Sequence, residues 1–187
     1  MTIPKTKIEW CDYTANPVKG KCPLGCSYCY ARRLYDRFHW NPALRYDPKA
    51  MLDTALLPGG SKVFVGSTME LFGRHIKPEW LYDIFHVVRR CPWVTYIFLS
   101  KCPDGLAALN PYPANCWVGL TITSNNHKNS YIGDLATIQA KVKFISFEPL
   151  LAWTQNPVQH ELLPFRLKQW GINWIIIGQH TPVSKNT

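Results

Sequence analysis

The strongest constraint on the fold is an alternation of short apolar runs with amphipathic stretches down most of the chain. Lys62-Val63-Phe64-Val65-Gly66 is the first clear run, and Val94–Leu99, Cys116–Thr121, Val142–Phe147 and Trp174–Ile177 follow. Between them lie segments with helical spacing: Pro78–Arg90, with Leu81, Ile84, Phe85 and Val88 on one face, a short one from Pro103, then Tyr131–Ala140 and Glu161–Gln169. Continuous apolar strands separated by such helices belong to a parallel sheet covered by helices. With a first strand near Lys7–Thr14 there are six. Asn16–Gly20 reads as a turn, and Tyr30–Phe38 as a helix with Tyr30, Leu34 and Phe38 on one face. No repeat or linker interrupts the pattern, so residues 1–187 are expected to form a single α/β domain.

Polar residues follow nearly every strand: Ser67, Thr68 and Glu70; Ser100 and Lys101; Thr121, Thr123, Ser124 and Asn125; Glu148; Gln179 and His180. Strand carboxyl ends carry the site in parallel α/β folds. This favours a curved, partial (β/α)6 TIM-like barrel of parallel strands over a flat doubly wound sheet. Polar loop starts also serve as helix caps, a reading that suits Thr68 or Asn125 equally well. Glu148, directly after Phe144-Ile145-Ser146-Phe147 and before Pro149, is poorly placed for a solvated face.

Early in the chain, Cys22-Pro23-Leu24-Gly25-Cys26-Ser27-Tyr28-Cys29 sets three thiols within eight residues. A structural zinc site usually closes its sphere with four protein ligands. Three thiolates on a cubic iron–sulfur cluster leave one iron without a protein ligand, free to bind a small molecule. Cys11, Cys91, Cys102 and Cys116 are scattered and read as buried single thiols. Their irregular spacing argues against a second cluster from Cys91, Cys102 and Cys116. Cys102, after Lys101 at a strand end, is a candidate hydrogen-atom donor.

The formal charge of +9 favours a polyanionic or phosphate-bearing partner. Lys19, Lys21, Arg32, Arg33, Arg37 and Arg45 face one acid, Asp36, between positions 19 and 45, interleaved with Tyr28, Tyr30, Tyr35, Phe38, His39 and Trp40. Cations pair with phosphates and flat rings stack on unpaired bases. The competing reading has the arginines offsetting a negative cluster or binding a cofactor carboxylate, and the rings in the core. No secretory signal opens the chain and no stretch approaches a membrane span. A cytoplasmic protein with no membrane partner is expected, where close-set cysteines mean metal or catalysis more often than disulfides.

The C-x3-C-x2-C spacing, with Tyr28 before the third cysteine, resembles the signature of the radical S-adenosylmethionine superfamily. Lys7–Trp10, Asn16-Pro17-Val18, Gly25–Arg32, Phe147–Leu151 and Gly171–Gly178 resemble the phage and prokaryotic three-cysteine-motif proteins related to spore photoproduct lyase. The resemblance implies that Cys22, Cys26 and Cys29 hold a [4Fe–4S] cluster and that S-adenosyl-L-methionine binds its open iron. It places Tyr28 beside the adenine, and Ser67, Thr68, Glu70, Thr121, Thr123, Ser124 and Glu148 around the cofactor. It further implies reductive cleavage to a 5′-deoxyadenosyl radical and an external electron donor such as flavodoxin or ferredoxin; the basic, ring-rich stretch adds the expectation of a nucleic acid or nucleotide substrate. Two departures stand out: Gly178-Gln179-His180 where the family often has Gly-Gly-Glu, and an end at Thr187 without the helix that should follow the sixth strand. A homodimer or another partner is the expected cover for that edge. Two rivals are a non-catalytic metal- or cluster-containing nucleic-acid-binding module and a degenerate partner subunit.

Overall fold

In a computed structural model, described for residues 3, 5–123, 130–151 and 164–178, the apolar runs become neighbouring strands. In chain order the strands are β1 (Tyr13–Ala15), β2 (Val18–Lys19), β3 (Arg45–Tyr46), β4 (Lys62–Val65), β5 (Thr95–Ser100), β6 (Cys116–Thr121), β7 (Val142–Phe147) and β8 (Trp174–Ile177). The helices are α1 (Tyr30–Arg37), α2 (Lys49–Leu52), α3 (Pro78–Arg90), α4 (Pro103–Ala107), α5 (Ser130–Thr137) and α6 (164–169), with a 3-10 turn at Asp53–Leu56. Six strands form one parallel sheet in the order β1-β4-β5-β6-β7-β8, while β2 and β3 pair antiparallel beside it.

The alternation of side chains along each strand divides the core. One face of the sheet, with Val63, Val65, Tyr96, Phe98, Val118, Leu120 and Ile145, packs under Ile84, Phe85 and Val88 of α3, Leu106 of α4 and Leu135 of α5. Burying each such side chain contributes about 1.5–3 kcal/mol. The other face gathers Phe64, Ile97, Phe144 and Ile176 with Trp10, Trp117 and Trp174. There the Phe144 ring lies over Gly119, where an added Cβ would sit 2.6 Å from it.

Trp10, at the β1 end of the sheet, has its ring centroid 6.0 Å from that of Trp174 in β8 and 4.8 Å from that of Phe64. In a flat sheet, strands about 4.8 Å apart would separate the two edges by roughly 24 Å. The sheet is therefore curled, with an aromatic plug on its concave face. Barrel closure is not seen: among the described residues β8 pairs with β7 alone.

Three expectations need correction. The first strand begins at Tyr13 rather than Lys7, because Cys11 N–H turns back to the Ile8 carbonyl (3.3 Å) and sends Trp10 inward. Asp12 then starts the β4 pairing, its carboxylate accepting from Lys62 N–H (2.8 Å). Asn16–Gly20 is not only a turn, since Val18 and Lys19 pair with Tyr46 and Arg45. The buried face of α1 is Ala31 and Tyr35, not the Tyr30–Leu34–Phe38 stripe, because the Tyr35 hydroxyl reaches in to accept from Gly20 N–H (2.7 Å). Among the described residues no helix is long and apolar enough to cross a membrane.

Candidate cofactor site at the strand carboxyl ends

A cavity of about 430 Å³ opens at the carboxyl ends of the parallel strands, within the range of small-ligand pockets. Trp10, Phe64 and Leu99 line its apolar side, continuing the aromatic plug. The cysteine loop lines another side with Cys22, Cys26 and Cys29, all free thiols and all partly exposed. Pro23 starts the turn and Gly25, at φ 65°, supplies the left-handed residue it needs. Cys29 N–H donates to the Cys26 carbonyl (3.1 Å), and Cys29 Sγ caps α1 by accepting from Arg32 N–H (3.5 Å). Arg32 Nη2 donates to the Cys22 carbonyl (3.1 Å), so the arginine ties both ends of the loop together. Among the described residues no three His, Cys, Asp or Glu side chains converge as a ready single-ion site.

The end of β4 supplies Gly66, Ser67, Thr68, Met69 and Glu70. Gly66, at φ 82°, leaves no room for a side chain because an added Cβ would lie 2.7 Å from Leu71. Asn16 Oδ1, after β1, accepts from Ser67 Oγ (3.1 Å), Thr68 Oγ1 (3.1 Å) and Thr68 N–H (3.2 Å). The Tyr30 hydroxyl donates to the Ser67 carbonyl (2.9 Å) and joins this strand end to the cysteine loop. Glu70 is buried, with Oε1 accepting from Ser100 Oγ (2.7 Å) and Phe72 N–H (3.0 Å) and Oε2 from Lys101 N–H (2.7 Å). Its carboxylate thus clamps the β4 and β5 ends to each other while bordering the cavity. Lys101 is the one Lys or Arg side chain among the described cavity-lining residues.

On the far side, Thr121 at the end of β6 and Glu148 after β7 line the same cavity. Ser146 Oγ donates to Glu148 Oε2 (3.0 Å), and Gly178 lies so close that an added Cβ would strike the carboxylate. Thr121 Oγ1 is buried and has no hydrogen-bond partner among the described residues. Tyr28 reaches back to the segment just past β6, its hydroxyl interacting with Thr123 and lying beside the Cys26 thiol. Burial, with the Cys26 thiol beside it, pushes the phenol well above its ordinary range, so Tyr28 is neutral at physiological pH.

The site residues named from sequence therefore fall into three groups. Cys22, Cys26, Cys29, Tyr28, Ser67, Thr68, Glu70, Thr121 and Glu148 border one cavity, and Thr123 touches it through Tyr28. Cys102 is not among the lining residues; it packs beside Cys22 against the outer core, and burial with Glu70 nearby pushes its thiol up to about 11. Ser124, Asn125, Gln179 and His180 lie outside the described residues. The spacing rules missed Asn16 as the organiser of Ser67 and Thr68; the signal was a polar side chain just past a strand, obscured by the following proline. They also missed Trp10, whose ring enters the cavity from a turn that reads as strand.

The class defined by these features is a parallel α/β protein with a three-thiol loop lining a cavity at its strand carboxyl ends. Over residues 5–185 the chain matches the family described as "Protein of unknown function (DUF5131)", and it belongs to that family. No curated protein matches it. Among solved structures it is similar in fold to a spore photoproduct lyase variant with bound AdoMet and dinucleoside spore photoproduct, with a TM-score of 0.65 at 13% identity. The match covers 98% of this chain and 60% of that one.

Proposed function

We propose that the protein is a radical S-adenosylmethionine enzyme on a partial (β/α)6 TIM-like barrel, acting on a nucleic acid or nucleotide. One observation carries the reading: three free thiols of a single loop border the same strand-end cavity as the Thr121 hydroxyl, which has no hydrogen-bond partner among the described residues. The donor set suits a cluster, because thiolates on one short loop are how iron–sulfur centres are held, each on its own iron. Cys22, Cys26 and Cys29 would hold a [4Fe–4S] cluster. Tyr28, Ser67, Thr68, Thr121, Thr123 and Glu148 would contact S-adenosyl-L-methionine. The buried hydroxyl of Thr121 is a group that a polar ligand would satisfy. When bound, the cluster and S-adenosyl-L-methionine supply reductive carbon–sulfur cleavage and a 5′-deoxyadenosyl radical.

The chain's own residues do the placing and excluding. Asn16 fixes the Ser67 and Thr68 hydroxyls at the β4 end. Glu70 holds the β4 and β5 ends in register as a positioning residue, its oxygens already engaged by protein donors. Trp10, Phe64 and Leu99 keep the inner side of the cavity dry. One electron must come from outside, which calls for a donor such as flavodoxin or ferredoxin. The net charge of +9 and the dinucleoside bound by the neighbour in fold support a nucleic acid or nucleotide as substrate. The test is the formation of 5′-deoxyadenosine by reconstituted protein with reductant. The expected outcome is product that Cys26→Ala abolishes; a bound metal with no product favours the non-catalytic module instead.

A further inference from the structure

The far end of α1 carries an aromatic pair that the cavity does not use. Phe38 and Trp40 are stacked, with ring centroids 5.5 Å apart and planes 21° from parallel, yet they are 51% and 48% exposed. The pair is held from below. Trp40 meets buried Tyr35 edge-on at 5.4 Å, and Trp40 N–H donates to the Tyr35 carbonyl (3.1 Å). His39 makes the turn between the rings in the left-handed region, at φ 49°. Two half-exposed rings fixed in this way lose little freedom when a further flat group stacks on them.

The surrounding charge is positive. The Arg37 guanidinium lies 5.3 Å from the Phe38 ring centre, and Arg33 is exposed one helical turn before it. Arg45 is exposed and braces the following loop through the Asn41 and Ala43 carbonyls (3.1 and 3.2 Å). The acid on the same helix, Asp36, is paired with Lys21 at 2.5 Å. Tyr30, at the other end of the same helix, lines the cavity. At 1.5 Å per residue, Phe38 lies about 12 Å further along.

We infer that Phe38 and Trp40, with Arg33 and Arg37, form a docking platform for single-stranded nucleic acid. An unpaired base would stack on the rings, with its phosphates on the guanidinium groups. Stacking needs an exposed base face, so the platform selects a single strand over a closed duplex. A few nucleotides would then bridge from the platform to the mouth of the cavity. Only this last step rests on the enzymatic reading above; binding at the platform does not. An acidic electron-transfer protein would use the arginines and leave the stacked rings without a role.

The test uses the full-length, cluster-reconstituted protein without reductant or S-adenosylmethionine. It measures fluorescence anisotropy with a fluorescein-labelled single-stranded DNA dodecamer over a salt series, with the matching duplex as comparison. The expected result is tighter binding of the single strand than of the duplex. Trp40→Leu should weaken single-strand binding by about 5- to 100-fold. Arg33→Gln, on an exposed site that no packing depends on, should lower the salt slope by about one. Unchanged binding in both variants, or preference for the duplex, overturns the inference. So does an Arg33→Gln protein that binds the strand normally but is reduced more slowly by flavodoxin. If Trp40→Leu does not fold, the Arg33→Gln slope decides alone. Loss of the cluster with strand binding intact would count against the proposed enzyme and not against the platform.

Discussion

A buried hydroxyl left without a partner costs about 1–3 kcal/mol, and among the described residues Thr121 Oγ1 is such a group at the edge of the cavity. Thr121→Val keeps the shape and removes the orphan, so the ligand-free protein should unfold at slightly higher denaturant. Binding of S-adenosylmethionine should weaken in the same variant, by calorimetry. A structural threonine would give the first effect without the second. Glu70 is the opposite case, since three donors converge on its two oxygens. Glu70→Ala should destabilise by about 3 kcal/mol or more in urea titration. Glu70→Gln should be milder, because Oε1 keeps its two contacts and only the Lys101 N–H loses an acceptor. From sequence both residues read alike, as polar groups following a strand. A pattern of residue types locates strand ends well, but it cannot say which hydroxyl is orphaned or where three N–H and O–H groups point.

At the scale of elements, the long periodic segments were legible. The expected bounds of β6, β7, β8 and α3 are the observed ones, because each run of apolar residues is long enough to fix its own period. The two-residue strands β2 and β3 carry no period and exist only through their pairing with each other. The face of α1 was misread for a related reason: aromatic residues at Tyr30 and Phe38 look like core, but the Tyr35 hydroxyl bond to Gly20 sets the rotation of the helix. The link between β1 and β4 is likewise tertiary. Asn16→Ala should free Ser67 and Thr68 together, costing about 1–3 kcal/mol of stability and weakening S-adenosylmethionine binding, with both measured on the same preparation. An effect on stability alone would confine Asn16 to the fold.

Across the whole molecule, the curl of the sheet rests on the aromatic plug. Trp174 touches Trp10, Trp117 and Phe144 with ring centroids 5.0–6.0 Å apart. Trp174→Ala should cost somewhat less than the usual 3–5 kcal/mol for a buried Trp, because the side chain is only partly buried. Unfolding in urea measures it. Burial also pushes the Cys11 thiol up to about 11 and the Cys116 thiol up to about 12. Unfolded thiols titrate near 9.0, so the folded state holds these protons more tightly. That stabilisation is fully present below about pH 9 and is lost as the pH rises through about 11 to 12. The thermal midpoint should therefore fall above about pH 9, and Cys116→Ala should flatten the fall. Cys91 and Cys116 lie buried at the amino-terminal side of the sheet, whereas Cys102 follows the carboxyl end of β5, so these three do not gather into a second cluster.

On the proposed function, Cys22, Cys26 and Cys29 hold a cluster with one iron open to S-adenosylmethionine. Electron paramagnetic resonance of the anaerobically reconstituted, dithionite-reduced protein tests it most directly. The expected result is a [4Fe–4S] signal that shifts when S-adenosylmethionine is added and that Cys26→Ala removes. A protein that takes up no iron, or a signal indifferent to S-adenosylmethionine, would contradict it.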